Sequence, residues 1–240
     1  MAKMTLEQLV AQLRSAFGDN LESAVLYGSA ARGENFRDQS DLNVLVTVRE
    51  LDLARLDAAG ATVRAWVDAG NPAPFILTRD EWRRSADIFP MEYADILERH
   101  RVLAGTPPFE GIVVERGDLR RQLELEAMGK LLHLRKGAMA AAGDAKRQLA
   151  LLEASRGVVL VIFRATLRLA GERPAEDSLA VCRQVAALTG LDPAPFERVV
   201  RHSKGDGALP RDETGAVLAA YLKGMDTLVQ YLDRHDTAAR

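Results

Sequence analysis

Asp41 and Asn43 stand two positions apart in a segment whose Val44, Val46, Thr47 and Val48 favour an extended chain. Alternate side chains of a strand point the same way, so this carboxylate and this amide face one site. The site lies toward Gly28 and Ser29, which close a preceding apolar strand at residues 23–27. Gly28 has no side chain to keep a phosphate from the backbone, and Ser29 offers an N–H and a hydroxyl. If residues 29–33 open a short helix, unpaired N–H groups and the positive end of its dipole add to an anion site. Arg32 either touches that phosphate or pairs with an acid such as Glu34, and Gly33 lets the chain leave the helix. The chemistry in prospect is the binding of a triphosphate together with a hard cation. Two carboxylates so placed would hold a pair of Mg²⁺ ions, one carrying the triphosphate and one activating an attacking hydroxyl; here one of the two is an amide.

The whole pattern, Gly28-Ser29-x-Ala31-Arg32-Gly33 followed by Ser40-Asp41-Leu42-Asn43, resembles the polymerase-beta-like nucleotidyltransferase superfamily, especially its two-domain aminoglycoside and minimal members. The likeness covers roughly the first hundred residues. It implies Mg²⁺-dependent transfer of a nucleoside monophosphate from a nucleoside triphosphate to a hydroxyl of a small molecule or protein, with pyrophosphate leaving. It also implies Asp41 as a metal ligand and Asn43 as an auxiliary ligand where the family has a second Asp. The family's third carboxylate comes from a later strand, but the strand expected at residues 74–78 contains no acid. Glu92 and Asp95 are the nearest substitutes; on a strand only one of them could face the site, and Glu92 is preferred. The implied catalytic set is thus Asp41, Asn43 and Glu92, the nucleotide-binding set Gly28, Ser29 and Arg32, and the metal ligands Asp41 and Asn43. Neutral Asn43 removes one negative charge, so the site retains Mg·nucleotide binding more readily than catalysis. A degenerate relative that binds a nucleotide, or a partner protein as an antitoxin-like module, is therefore the alternative.

Several elements must position these residues. The period of Leu6, Leu9, Val10, Leu13 and Phe17, with Thr5 as N-cap and Gly18 as stop, predicts a first helix over residues 5–17. A second is predicted over residues 51–69, a third strand over 74–78 and a short helix over 80–86. Residues 89–97 read as a fourth strand, although residues 91–95 would also serve to begin a helix. Gly105-Thr106-Pro107-Pro108 marks the boundary between a nucleotidyltransferase-like domain at residues 1–108 and a C-terminal domain at residues 109–240. Helical periods over residues 119–141, 145–170, 176–189, 195–202 and 214–235 make the latter an α-helical bundle. The fold class expected is therefore α+β: a mixed sheet with flanking helices, followed by a helical bundle.

Composition limits the partners. The 240 residues carry 34 acidic and 32 Lys or Arg side chains, a formal charge of −2, so the chain has no overall footprint for nucleic acid. Basic residues such as Arg120, Arg121, Lys130, Arg135 and Lys136 alternate with acids and lack interleaved aromatics, as solvated helix faces do. The single Cys182 excludes an internal disulfide and a cysteine-built zinc site. His133, His202 and His235 have no metal-ligand spacing, and the charged run around His100 reads as a solvated turn beside the site. No apolar run is long enough to span a membrane and none follows Lys3 as in a secretory signal, so a cytoplasmic location is expected. Apolar Ala and Leu faces of the bundle suit burial in a homodimer, without indicating which face.

Overall fold

The apolar period at the start of the chain builds helix α1 (Leu6–Phe17), which buries Leu9, Leu13 and Phe17. Thr5 and Gln8 form a reciprocal capping box at its start, each side chain bonding the other's backbone N–H, and Gly18 ends it at φ +52°. The computed structural model describes residues 4–32 and 42–234, and the chain divides between Val114 and Glu115 into two compact units.

In the first unit, strands β1 (Leu21–Tyr27), β2 (Asn43–Val48), β3 (Phe75–Thr78) and β4 (His100–Gly105) form one sheet in the order β3-β2-β1-β4. β1 runs antiparallel to both neighbours, whereas β2 and β3 are parallel and joined through helix α2 (Leu53–Asp68), so the sheet is mixed. Burial on both faces follows from the alternation. Leu26, Val44, Val46 and Val48 pack with α1 and with Trp66 and Ala59 of α2. Val25 and Leu45 point the other way, against Trp82 of α3 (Arg79–Arg84) and Tyr93 and Ile96 of α4 (Pro90–Glu98). Ser23 and Thr47, opposite each other in the β1/β2 register, share a buried 2.7 Å hydroxyl–hydroxyl bond on this second face, which satisfies both groups.

Residues 89–97 do not form the expected strand. Pro90 occupies the first turn of α4, where its missing N–H costs nothing, and Pro90, Tyr93 and Ile96 are buried at a spacing of three, a helical face. The fourth strand is instead the charged segment read as a turn: His100, Arg101 and Val102 pair with Tyr27, Leu26 and Val25 at the sheet edge. An exposed edge strand tolerates such residues. Gly105 ends it at φ +70°, and a Cβ there would fall 1.8 Å from the Glu22 carbonyl oxygen. Beyond the tandem prolines, Phe109, Ile112 and Val114 still pack on the Trp82 cluster, within the first unit. The indole N–H of Trp82 donates to the Pro108 carbonyl at 2.6 Å, and the Tyr93 hydroxyl to the Trp82 carbonyl at 2.6 Å.

The second unit is helical among its described residues: α5 (Arg116–Ala141), α6 (Ala145–Leu169), α7 (Ser178–Thr189), α8 (Ala194–Lys204) and α9 (Thr214–Arg234). Asp144 and Asp177 cap α6 and α7, accepting bonds from first-turn N–H groups. Phe196 of α8 fills the centre, 4.9 Å from Phe163 and 4.3 Å from Tyr221, and Gly224 leaves room for its ring. Cys182 is buried, and burial pushes its thiol up to about 12. Among the described residues no helix is long and apolar enough to cross a membrane.

Candidate functional site

At the end of β1 the sequence changes from apolar strand to Gly28-Ser29-Ala30-Ala31-Arg32, and the chain tightens into a 3₁₀ turn over Gly28–Arg32. Gly28 enters that turn at φ +78°, a left-handed conformation that L side chains rarely adopt. Its N–H donates to the Arg99 carbonyl at 3.3 Å, so this donor serves the β1/β4 junction and is not offered to a ligand. What Gly28 does offer is space. A Cβ at this position would lie 3.4 Å from Asn43 Nδ2 and 3.5 Å from Asp95 Oδ2. Amide and carboxylate therefore border one small gap beside the Gly28 Cα.

Three elements bring these residues together. Asn43 opens β2 and pairs in register with Tyr27; Tyr27 pairs in turn with His100 on β4. Directly opposed residues in an antiparallel sheet share a face, so Asn43, Tyr27 and His100 form a row across the sheet. Helix α4 crosses that face, and Glu92 and Asp95, three residues apart, share one side of it. Their combined charge is felt by Tyr27, whose phenol is pushed up to about 12, first by burial and then by Glu92 and Asp95. The restriction to one acid belongs to a strand; on the helix Glu92 and Asp95 share a side, and both act on Tyr27.

His100 Nδ1 lies 2.8 Å from the Ile96 carbonyl, an acceptor, so Nδ1 carries the proton and Nε2 is the acceptor of the neutral ring. Its ring centre lies 4.4 Å from that of Phe109, which fixes the imidazole at the edge of the row. Asp41, Gly33 and Glu34 lie outside the described residues, and for Ser29 and Arg32 only the backbone is described. Of the residues singled out from the sequence, Gly28 and Asn43 come together, Glu92 lies one helical turn from Asp95, and Asp95 takes the place nearest Gly28. Tyr27 is not among the residues singled out from the sequence, although its position just before Gly28 and two from buried Val25 marks it as the last side chain on that face.

At the gap the Asp95 carboxylate offers a hard oxygen, the ligand type that suits Mg²⁺ rather than zinc, while Asn43 presents its Nδ2, a hydrogen-bond donor. Among the described residues no group of three or more His, Cys, Asp and Glu could by itself hold a metal ion, so a complete set would need Asp41, two residues before Asn43.

A mixed four-stranded sheet with helices on both faces, the Gly-Ser turn at the end of its first strand and a helical unit after it define a nucleotidyltransferase-like α+β fold. The chain is similar in structure to spectinomycin adenyltransferase AAD(9) from Enterococcus faecialis, solved with ATP and spectinomycin. The match has a TM-score of 0.57 and 12% sequence identity, and covers 94% of this chain and 97% of the other. At that identity the likeness is one of fold. No protein-family model and no curated protein sequence matches the chain.

Proposed function

We propose that the protein is a nucleotidyltransferase that moves a nucleoside monophosphate from a Mg²⁺-bound nucleoside triphosphate to a hydroxyl of a small molecule or protein. The observation that carries this reading is the gap at Gly28, bordered by Asn43 and Asp95 within a nucleotidyltransferase-like fold. Asp41, Asn43 and Asp95 would hold Mg²⁺, Glu92 would add negative charge nearby, and Gly28, Ser29 and Arg32 would receive the phosphates. Bound Mg²⁺ would neutralise the triphosphate and lower the pKa of the acceptor hydroxyl. The protein's own part is to admit phosphate against a backbone without a Cβ and to hold two helix-borne carboxylates beside it. Those carboxylates offset the charge that Asn43 lacks relative to Asp. In the similar structure ATP and spectinomycin are present, which makes ATP and a small molecule the first pair to test.

Calorimetric titration of Mg·ATP and Mg·GTP into wild type and Asp41→Ala tests the reading. Saturable, Mg²⁺-dependent binding that Asp41→Ala abolishes is expected, followed by transfer of labelled nucleotide to an acceptor. Absence of binding by either nucleotide would sink it. Asn43 favours a second reading, a degenerate protein that binds nucleotide without transfer; under it Asn43→Asp would create transfer that wild type lacks.

A further inference from the structure

Phe75 opens β3, and the parallel register sets it beside Leu45 of β2. Asn43 lies two residues before Leu45 on the same face, so the Cα atoms of Asn43 and Phe75 are about 8 Å apart. From the helix side the ring of Phe89, the residue before α4, meets the ring of Phe75 edge-on, with 5.9 Å between centres. The α4 segment thus approaches this end of the sheet at two places, with Asp95 beside Gly28 and Asn43 and with Phe89 against Phe75. Glu92 stands three residues from each.

The ring pair is not sealed in the core. Phe75 is half-buried at the margin of the Trp82 cluster, Phe89 is 37% exposed, and its neighbour Ile88 is 59% exposed. Residues 69–79 contain no acid. Asp80 and Glu81 follow the far end of β3, where Glu81 is bonded to Thr78. Among the described residues the site is therefore bordered by aromatic rings on the β3 side and by the Gly28–Arg32 turn on the β1 side.

Direction decides which substrate meets the rings. In nucleotidyl transfer the attacking and leaving oxygens lie roughly in line through the α-phosphorus. With pyrophosphate at the turn after β1 and the α-phosphate beside Asn43 at the start of β2, the hydroxyl arrives from the next strand in the row, β3, which Phe75 opens. The nucleotide occupies the β1 side, and the acceptor meets the ring pair.

We propose that the acceptor carries an aromatic or apolar ring next to its hydroxyl and that Phe75 and Phe89 receive this ring and select it, an inference that rests on the nucleotidyl transfer proposed for the same site. In the step, the hydroxyl oxygen bonds to the α-phosphorus and the bond from that phosphorus to the bridging oxygen breaks. Pyrophosphate leaves with the electron pair, and the hydroxyl proton passes to solvent. Contact between rings holds the hydroxyl in place for attack, a hold that a polyol without a ring lacks on this side.

Benzyl alcohol and glycerol are the probes, the first with a ring beside its hydroxyl and the second without. Saturation-transfer NMR with Mg²⁺ and α,β-methylene ATP should show benzyl alcohol bound to wild type, at least tenfold more weakly to Phe89→Ala, and glycerol unbound. Calorimetry should give the same Mg·ATP affinity for both proteins. With ATP, AMP should pass to benzyl alcohol at least tenfold faster than to glycerol, a preference that Phe89→Ala erases. Phe89→Leu, which keeps apolar bulk against Phe75, repeats the comparison should Phe89→Ala lose structure. No ring binding by wild type, ring binding unchanged in the variants, or equal transfer to the two alcohols would overturn the inference and leave the nucleotide site standing. Failure of Mg·ATP to bind, or ring binding without transfer to either alcohol, would overturn the transfer reading and the acceptor with it.

Discussion

Replacement of Gly28 by alanine separates two consequences that a single substitution usually merges. The residue sits at φ +78°, and an L side chain there costs about 1 kcal/mol of stability. The added methyl would meet Asn43 Nδ2 at 3.4 Å and Asp95 Oδ2 at 3.5 Å, ordinary van der Waals distances, so no large steric penalty joins the backbone one. Gly190, which ends α7, has the same φ of +78°, and a methyl added there would have nothing within 4 Å, so Gly190→Ala supplies the matched control. Both variants should lose about 1 kcal/mol in urea unfolding. Only Gly28→Ala fills the gap between amide and carboxylate, and it should weaken Mg·ATP binding at least tenfold, about 1.4 kcal/mol. Fluorescence or calorimetric titration of the two variants beside wild type makes the comparison. Equal nucleotide affinity in Gly28→Ala and Gly190→Ala would refute the assignment of the gap as the ligand's place.

Two other substitutions examine the supports of the site. Asp95→Asn removes one of the two charges that raise the Tyr27 phenol, so its ionisation, followed by phenolate absorbance, should move down from about 12; an unmoved Tyr27 would place Asp95 elsewhere. The sign for stability is fixed as well: a phenol that ionises near 10 unfolded and near 12 folded stabilises fully below pH 10, and that contribution is lost as pH rises through 12. Gly105→Ala drives a Cβ into the Glu22 carbonyl at 1.8 Å, so the end of the β1/β4 pair must open, with an expected loss of about 3 kcal/mol or more in chemical denaturation. A loss under about 1 kcal/mol would show that the edge strand adjusts freely.

The hairpin is legible in the sequence because β-branched Val44, Val46 and Val48 and the Gly28-Ser29 break are local signals that tertiary packing reinforces. The long helices are legible for the same reason, their stripes being sustained over many turns. Residues 89–105 are not. Met91-Glu92-Tyr93 alternates apolar and polar as a strand does, and the deciding mark, Pro90 in the first helical position, is a single residue. His100 and Arg101 look like a turn because an edge strand needs no apolar alternation on its exposed part. The limit of one acid at the site rests on the strand expected there, whereas on helix α4 Glu92 and Asp95 share a side. The nearness of Asp95 to Gly28 comes from packing of Tyr93 and Ile96 beneath the sheet, a long-range fact invisible at the level of spacing.

The two tryptophans of the chain divide between the faces of the sheet: Trp66 lies in the layer of α1 and α2, and Trp82, stacked on Tyr93 at 3.8 Å, lies in the layer that carries Glu92 and Asp95. Both are fully buried and both belong to the first unit. Indole emission from this protein therefore reports one unit alone, while far-ultraviolet ellipticity is dominated by the helices of the other. A Trp66→Phe variant leaves a lone emitter next to the acidic helix, an optical signal for events at the site that requires no label.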